Sequence, residues 1–465
     1  MKRSSVRFVS RRASETPLTL PSSPVGDRSQ RTDFVGERGF RTDSTSQPST
    51  RAVFPIVPDR FRWIAVGALV ALFVSSATSS AQVAVRGKKV HTMAGPVIAD
   101  GVVVIQNGKI SAVGPAASVQ IPQGLRVLQA DVVTPGLIDA HSVVGLSGIF
   151  NQPQDQDQLE RSAPIQPELR AIDAYNAREA LVEWVRNFGV TVLHTGHAPG
   201  ELISGQTCIV KTWGDTIDEA VMVPTATVAA TLSTAAQKSD KGKSPGTRGK
   251  MMSMLRQELI KAQEYAQKLE KAEADKKPDR SLGAEVMVRV LKKELPLMVT
   301  AHRSQDIDNA LRMAAEFDIK LILDGGAEAY LLIDEIKQVG VPVLIHPTMM
   351  RAVGEAENLS FETAGKLSAA GIPIALQSGF ESYVPKTRVV LFEAAVAAAN
   401  GLSPEKALAS VTIDAAKILG IADRVGSLEV GKDGDVALYD GDPFEYTTHC
   451  VGVVINGNVA SEKPH

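Results

Sequence analysis

The chain has 465 residues, with 50 lysines and arginines against 52 aspartates and glutamates, and a formal net charge of −2. That balance gives no sign of a nucleic-acid or membrane-surface partner and leaves the charge uninformative about substrate. The length exceeds an ordinary single domain, but one barrel of eight strand–helix units with a small satellite would absorb it. Cys208 and Cys450 lie far apart without metal-type spacing; a disulfide between them is open, and two buried thiols are the expectation.

Residues 1–59 are rich in Ser, Thr, Arg and Pro, with few large apolar side chains and no sustained period. Such a segment cannot bury a core and is expected to be disordered. In 60–81, Arg60-Phe61-Arg62 precedes an apolar run over 63–74 and a small, polar stretch ending Ser79-Ser80-Ala81. This is the region order of a secretory signal peptide cleaved after Ala81, and it predicts an exported protein, periplasmic or extracellular. The run is too short for a stable membrane span. No methionine falls between Met1 and Met93, so a translation start at a non-Met codon near Val53 or Val57 accounts for a signal set this deep. An extended charged region or an uncleaved anchor is the alternative.

Short alternating runs fill 82–134. Residues 101–106 and 109–113 flank Asn107-Gly108, a hairpin signal, and near the other terminus 453–459 turns on Asn456-Gly457. Between them apolar strands alternate with amphipathic helices: a strand over 136–140, another over 188–194, then 296–301, 319–323, 341–345 and 372–376, most of them followed by a helix. Repeated strand-to-helix order with short loops predicts a parallel barrel. The charged stretch 251–276 exceeds what a barrel helix needs and reads as a surface insertion or as a lid over the mouth. The polar loop 151–167 and the segment 200–207 are further candidates for shaping a pocket, or ordinary connections.

The first of these strands reads Pro135-Gly136-Leu137-Ile138-Asp139-Ala140-His141, and the chain later runs Gly431-Lys432-Asp433-Gly434-Asp435. Both stretches resemble the amidohydrolase superfamily, its secreted imidazolonepropionase-like branch in particular. The resemblance implies a (β/α)8 TIM barrel over 135–424 with a small β-sandwich built from both ends of the mature chain, 82–134 and 425–465. It also implies a hydrolase of non-peptide C–N bonds or related esters, with a small-molecule substrate and one or two divalent metals at the barrel mouth.

Carried over position by position, His141 matches the first histidine of the family's His-x-His pair and His302 the fifth-strand ligand. Val143 stands for the second histidine, Ala229 for the fourth-strand lysine, Gly325 for the sixth-strand histidine and Gly379, or else Ser378, for the last-strand aspartate. Valine, alanine and glycine side chains hold no lone pair for a cation, so a binuclear centre is not expected. His141, His302 and His346 are the candidate ligands of a single zinc, or else hydrogen-bond loop backbone in a remodelled pocket; no metal at all is the other expectation. His194, His197, Asp324 and Glu381 are the remaining pocket candidates. Two functions follow: a divergent hydrolase, or a non-catalytic barrel that binds a small molecule or a partner protein. A homo-oligomer is compatible with either.

Overall fold

The computed structural model describes residues 82–465 except 151, 239, 241, 274–276, 349, 351 and 381–389. The expected disordered segment and signal peptide, and Glu381, lie outside the described residues.

Both ends of the described chain contribute to one seven-stranded sheet. Its order is Asn458–Ser461, Cys450–Ile455, Val436–Tyr439, Arg126–Pro135, Val83–Val90, Ile98–Gln106, Lys109–Pro115. Both Asn-Gly turns form as the sequence predicts. Asn107 and Gly108 have φ of 53° and 76°, Asn456 and Gly457 of 50° and 75°, and a two-residue type I′ turn requires positive φ at both positions. The 432–435 segment touches both turns: Gly434 N–H donates to Gly108 O and Gly457 N–H to Gly434 O. The sheet is thereby folded around Val85, Val103, Ile105, Val133, Val436 and Leu438. Lys211, a buried lysine, fixes this layer to the barrel, 3.0 Å from Asp433 and in contact with Asp435.

The barrel strands are Leu137–Ser142, Val190–Thr195, a third in two pieces (Ile203–Gln206 and Cys208–Lys211), Val228–Thr231, Leu297–Ala301, Leu321–Gly325, Val343–Ile345 and Ile374–Leu376. Seven run parallel, but the third is antiparallel to both its neighbours, contrary to the all-parallel expectation. The reason lies in the connection. Only seven residues separate Thr195 from Ile203, whereas a parallel crossover needs roughly a dozen or more, so the chain must return as a hairpin. Hydrogen bonding falls into two sheets, which the third strand joins by pairing one piece with the second strand and the other with the fourth. On the opposite side Gly379 N–H donates to His141 O at 3.1 Å, tying the end of the last strand to the first.

Interior residues alternate with residues that face the helices. Ile138, Val192, Ala229, Met298, Ile322, Leu344 and Ala375 form an apolar floor, packed against Ala415 and Ala416 of the helix Ile413–Ile418. The helix Arg248–Lys271 is no lid: it buries Met251, Met252, Leu255 and Leu259 in the outer core shared with Leu282–Leu291 and Ser304–Phe317. Thr247 caps it, its hydroxyl accepting from Lys250 N–H at 3.2 Å. Thr247→Ala should lower stability by about 1 kcal/mol, read as a small drop in thermal midpoint, and an unchanged midpoint would show the cap to be idle. Both cysteines are buried and free. Among the described residues no helix is long and apolar enough to cross a membrane.

Candidate functional site at the barrel mouth

Two residues beyond each floor residue, several strands turn polar: Val192 is followed by His194, Met298 by Thr300, Ile322 by Asp324, Leu344 by His346 and Ala375 by Gln377. Period two carries these side chains to the same inner face, at the C-terminal ends where barrel sites lie. His141 reaches this layer differently. Its strand pairs Asp139 with Leu193 but Ser142 with Thr195, a one-residue slip, and a bulge of that kind re-aims the side chains around it.

The centre of the layer is a buried pair. His141 Nδ1 lies 3.0 Å from Asp324 Oδ1, with 4% and 3% of the two side chains exposed. Thr300 Oγ1 donates to Asp324 Oδ2 and Gln377 Nε2 to Asp324 Oδ1, each at 2.5 Å. Burial alone would raise the Asp324 pKa, but His141 and these donors overcome it and hold the carboxyl well below its usual range. Burial likewise opposes a charge on His141; the Asp324 carboxylate outweighs it and raises the imidazole pKa. Below them Asp139 accepts from Ser378 N–H at 2.9 Å and from the Ser378 hydroxyl, and burial pushes its pKa up to about 7. His141 Nε2 is buried, and the His197 backbone beside the ring adds to the rise in its pKa.

The other predicted residues divide. His194 is fully satisfied: its ring nitrogens lie 2.6 Å from Ala140 O and 2.7 Å from Thr207 Oγ1, and burial lowers its pKa to about 3. It is a neutral structural imidazole. His197, in the loop after the second strand, is taken to about 4 by burial, with the Leu169 backbone beside its ring opposing the shift. His302 has an unpartnered Nδ1, and burial lowers its pKa too. His346 Nδ1 lies 3.3 Å from Gln377 O. Sequence reasoning passed over Asp139, Thr300 and Gln377, although the two-residue step from each apolar floor residue marks the last two.

The four substituted positions are filled space. A Cβ on Gly325 would stand 2.6 Å from His302 Cε1, and one on Gly379 would stand 2.5 Å from His346 Cδ2. Both glycines have positive φ, 84° and 65°. Two surviving imidazoles therefore occupy the room that side chains at these positions would need. Val143 is buried, and Ala229 belongs to the apolar floor. Among the described residues no three His, Cys, Asp or Glu side chains are grouped so as to hold a metal ion. His141 Nδ1 is held by Asp324, so Nε2 is the nitrogen left to reach a cation or a substrate.

The sequence profile of the amidohydrolase family matches residues 173–460. The solved structure of an amidohydrolase from Thermotoga maritima MSB8 is similar at 27% identity and a TM-score of 0.77, over 82% of this chain and all of that one. Atrazine chlorohydrolase TrzN from Arthrobacter aurescens TC1, solved with zinc, shares the fold at 16% identity and a TM-score of 0.50, over 82% of this chain and 96% of that one. The imidazolonepropionase of Thermoplasma volcanium is 26% identical over 137 residues, 28% of this chain and 33% of that one. The chain thus spans about a third of the length of the first curated relatives it matches. The profile covers more than half of the sequence, and the solved amidohydrolase aligns along its whole length, so the chain belongs to the amidohydrolase family.

Proposed function

We propose that this amidohydrolase-family protein has kept the barrel and given up two-metal hydrolysis, and that its mouth binds a small molecule. The observation that carries this reading is the placement of His302 and His346 in the space beside Gly325 and Gly379. A ligand position whose room is taken by a neighbouring ring reopens only if that ring swings away. The order of charged, apolar and small residues in 60–81 supports export, so the ligand is one met outside the cytoplasm.

A second reading has its own observation. His141, its Nδ1 held by the Asp324 carboxylate and its pKa raised by it, has the arrangement of an oriented acid–base imidazole, which would suit hydrolysis of a non-peptide C–N bond or an ester. Thermal-shift screening beside hydrolysis assays on hydantoin, glutarimide and p-nitrophenyl acetate separates the two. The binding reading expects saturable stabilisation by a screened compound and no turnover above buffer. Turnover abolished by His141→Ala and indifferent to chelator would establish the second reading. Turnover that rises with added zinc and is lost in His302→Ala would overturn both.

A further inference from the structure

Outside the His141–Asp324 pair, the same rim holds a second buried carboxylate that neither reading uses. Glu201 is 0% exposed. Gly200 N–H donates to Thr231 Oγ1 at 3.2 Å and Thr231 N–H to Leu202 O at 3.3 Å, which sets Glu201 beside the C-terminal end of the fourth strand. The loop 151–167 passes along the same place, with Gln166 N–H donating to Ile203 O at 3.0 Å. One carboxylate oxygen of Glu201 is bound by Lys238, seven residues past the fourth strand. The Lys238 loop is braced by its own N–H on Pro245 O at 2.7 Å and by the turn Thr234–Ala236. Glu201 Oε2 is buried and has no donor among the described residues.

A buried carboxylate oxygen without a donor forfeits the hydrogen bond it had in water, so it calls for an N–H or O–H from something bound. Four residues before it on the same loop, the His197 ring lies beside the Leu169 carbonyl. Gly205 leaves the room for that ring, since a Cβ there would meet His197 Nε2 at 2.5 Å. Lys238 occupies one oxygen of the carboxylate, and the other remains a buried acceptor with no donor among the described residues. We infer that Glu201 Oε2 is the anchor for a small nitrogenous cation of the amidinium or guanidinium type, with Lys238 as the positioning residue that holds the carboxylate. This rests on the binding reading of the mouth and names the chemistry it selects. A planar cation with several N–H groups satisfies the free carboxylate oxygen through a charge-assisted hydrogen bond.

The test is calorimetric titration of the full chain with benzamidine, neutral benzamide and anionic benzoate. Benzamidine should bind saturably, benzamide more weakly and benzoate not measurably. Glu201→Gln, which keeps an acceptor for Lys238 but turns a donor toward the ligand, should weaken benzamidine at least tenfold. Glu201→Asp keeps the charge and should fall between the two, which guards against a Gln variant that fails to fold. Benzamidine binding unchanged in a folded Glu201→Gln protein overturns the assignment and leaves the binding barrel standing. Benzoate binding as well as benzamidine, or none of the three probes binding because water alone serves Glu201, also overturns it. Zinc-dependent turnover in the hydrolysis assays would instead remove the reading beneath it.

Discussion

Gly325→His, the substitution that returns a histidine to the sixth-strand ligand position, should cost about 2–5 kcal/mol and should not create a metal site. Two effects add. A side chain at φ of 84° pays roughly 1–2 kcal/mol for left-handed backbone, and forcing a Cβ against the His302 ring overpacks a filled interior by about 1–3 kcal/mol. Gly340→Ala is the matched control. Gly340 has φ of 75° but nothing within 4 Å of its Cβ position, so only the backbone cost should appear. Thermal and urea denaturation of the two variants would show the difference. Equal losses would mean that the His302 ring yields easily, and the claim of refilled space would fail.

Asp324→Asn should be at least as damaging, about 3–5 kcal/mol, because it leaves His141 buried beside a neutral amide that must also face Thr300 and Gln377. The pair also fixes a pH dependence. Asp324 has a depressed folded pKa, so its contribution is present above the ordinary carboxyl value of 3.8 and is lost as pH falls below it. His141 has a raised folded pKa, so its contribution is full below 6.5 and is lost as pH rises through the folded value. Asp139, raised to about 7 by burial, moves stability the same way as His141, with loss as pH climbs from 3.8 toward 7. The wild type should therefore lose stability from these groups above pH 6.5, and Asp324→Asn should lose less over that span. Parallel pH profiles for the two proteins would contradict the ion pair.

Much of this was legible in the chain itself. The Pro135–His141 stretch marks the first barrel strand because a run that is apolar but for Asp139 and ends in a histidine suits a strand buried on both faces. Asn107-Gly108 and Asn456-Gly457 mark hairpins because only a few residue types tolerate positive φ in succession. The reversed third strand was also readable, from a link too short for a crossover, but alternation of strand and helix elsewhere masked it. The site was harder. His194 looked like a pocket residue and proves to be locked by Thr207 and Ala140, partners 13 and 54 positions away. Asp324 and His141 are 183 residues apart, and no local pattern announces their pairing. Gly325 and Gly379 could be read as missing donors; that His302 and His346 stand in their place depends on packing between strands.

Elemental mass spectrometry of the purified chain, grown with zinc and manganese and dialysed against metal-free buffer, bears most directly on the site. Side chains that cannot donate at Val143, Ala229, Gly325 and Gly379 predict no more than a single tightly held ion per chain. Two ions per chain, both lost in His141→Ala and His302→Ala, would contradict the account.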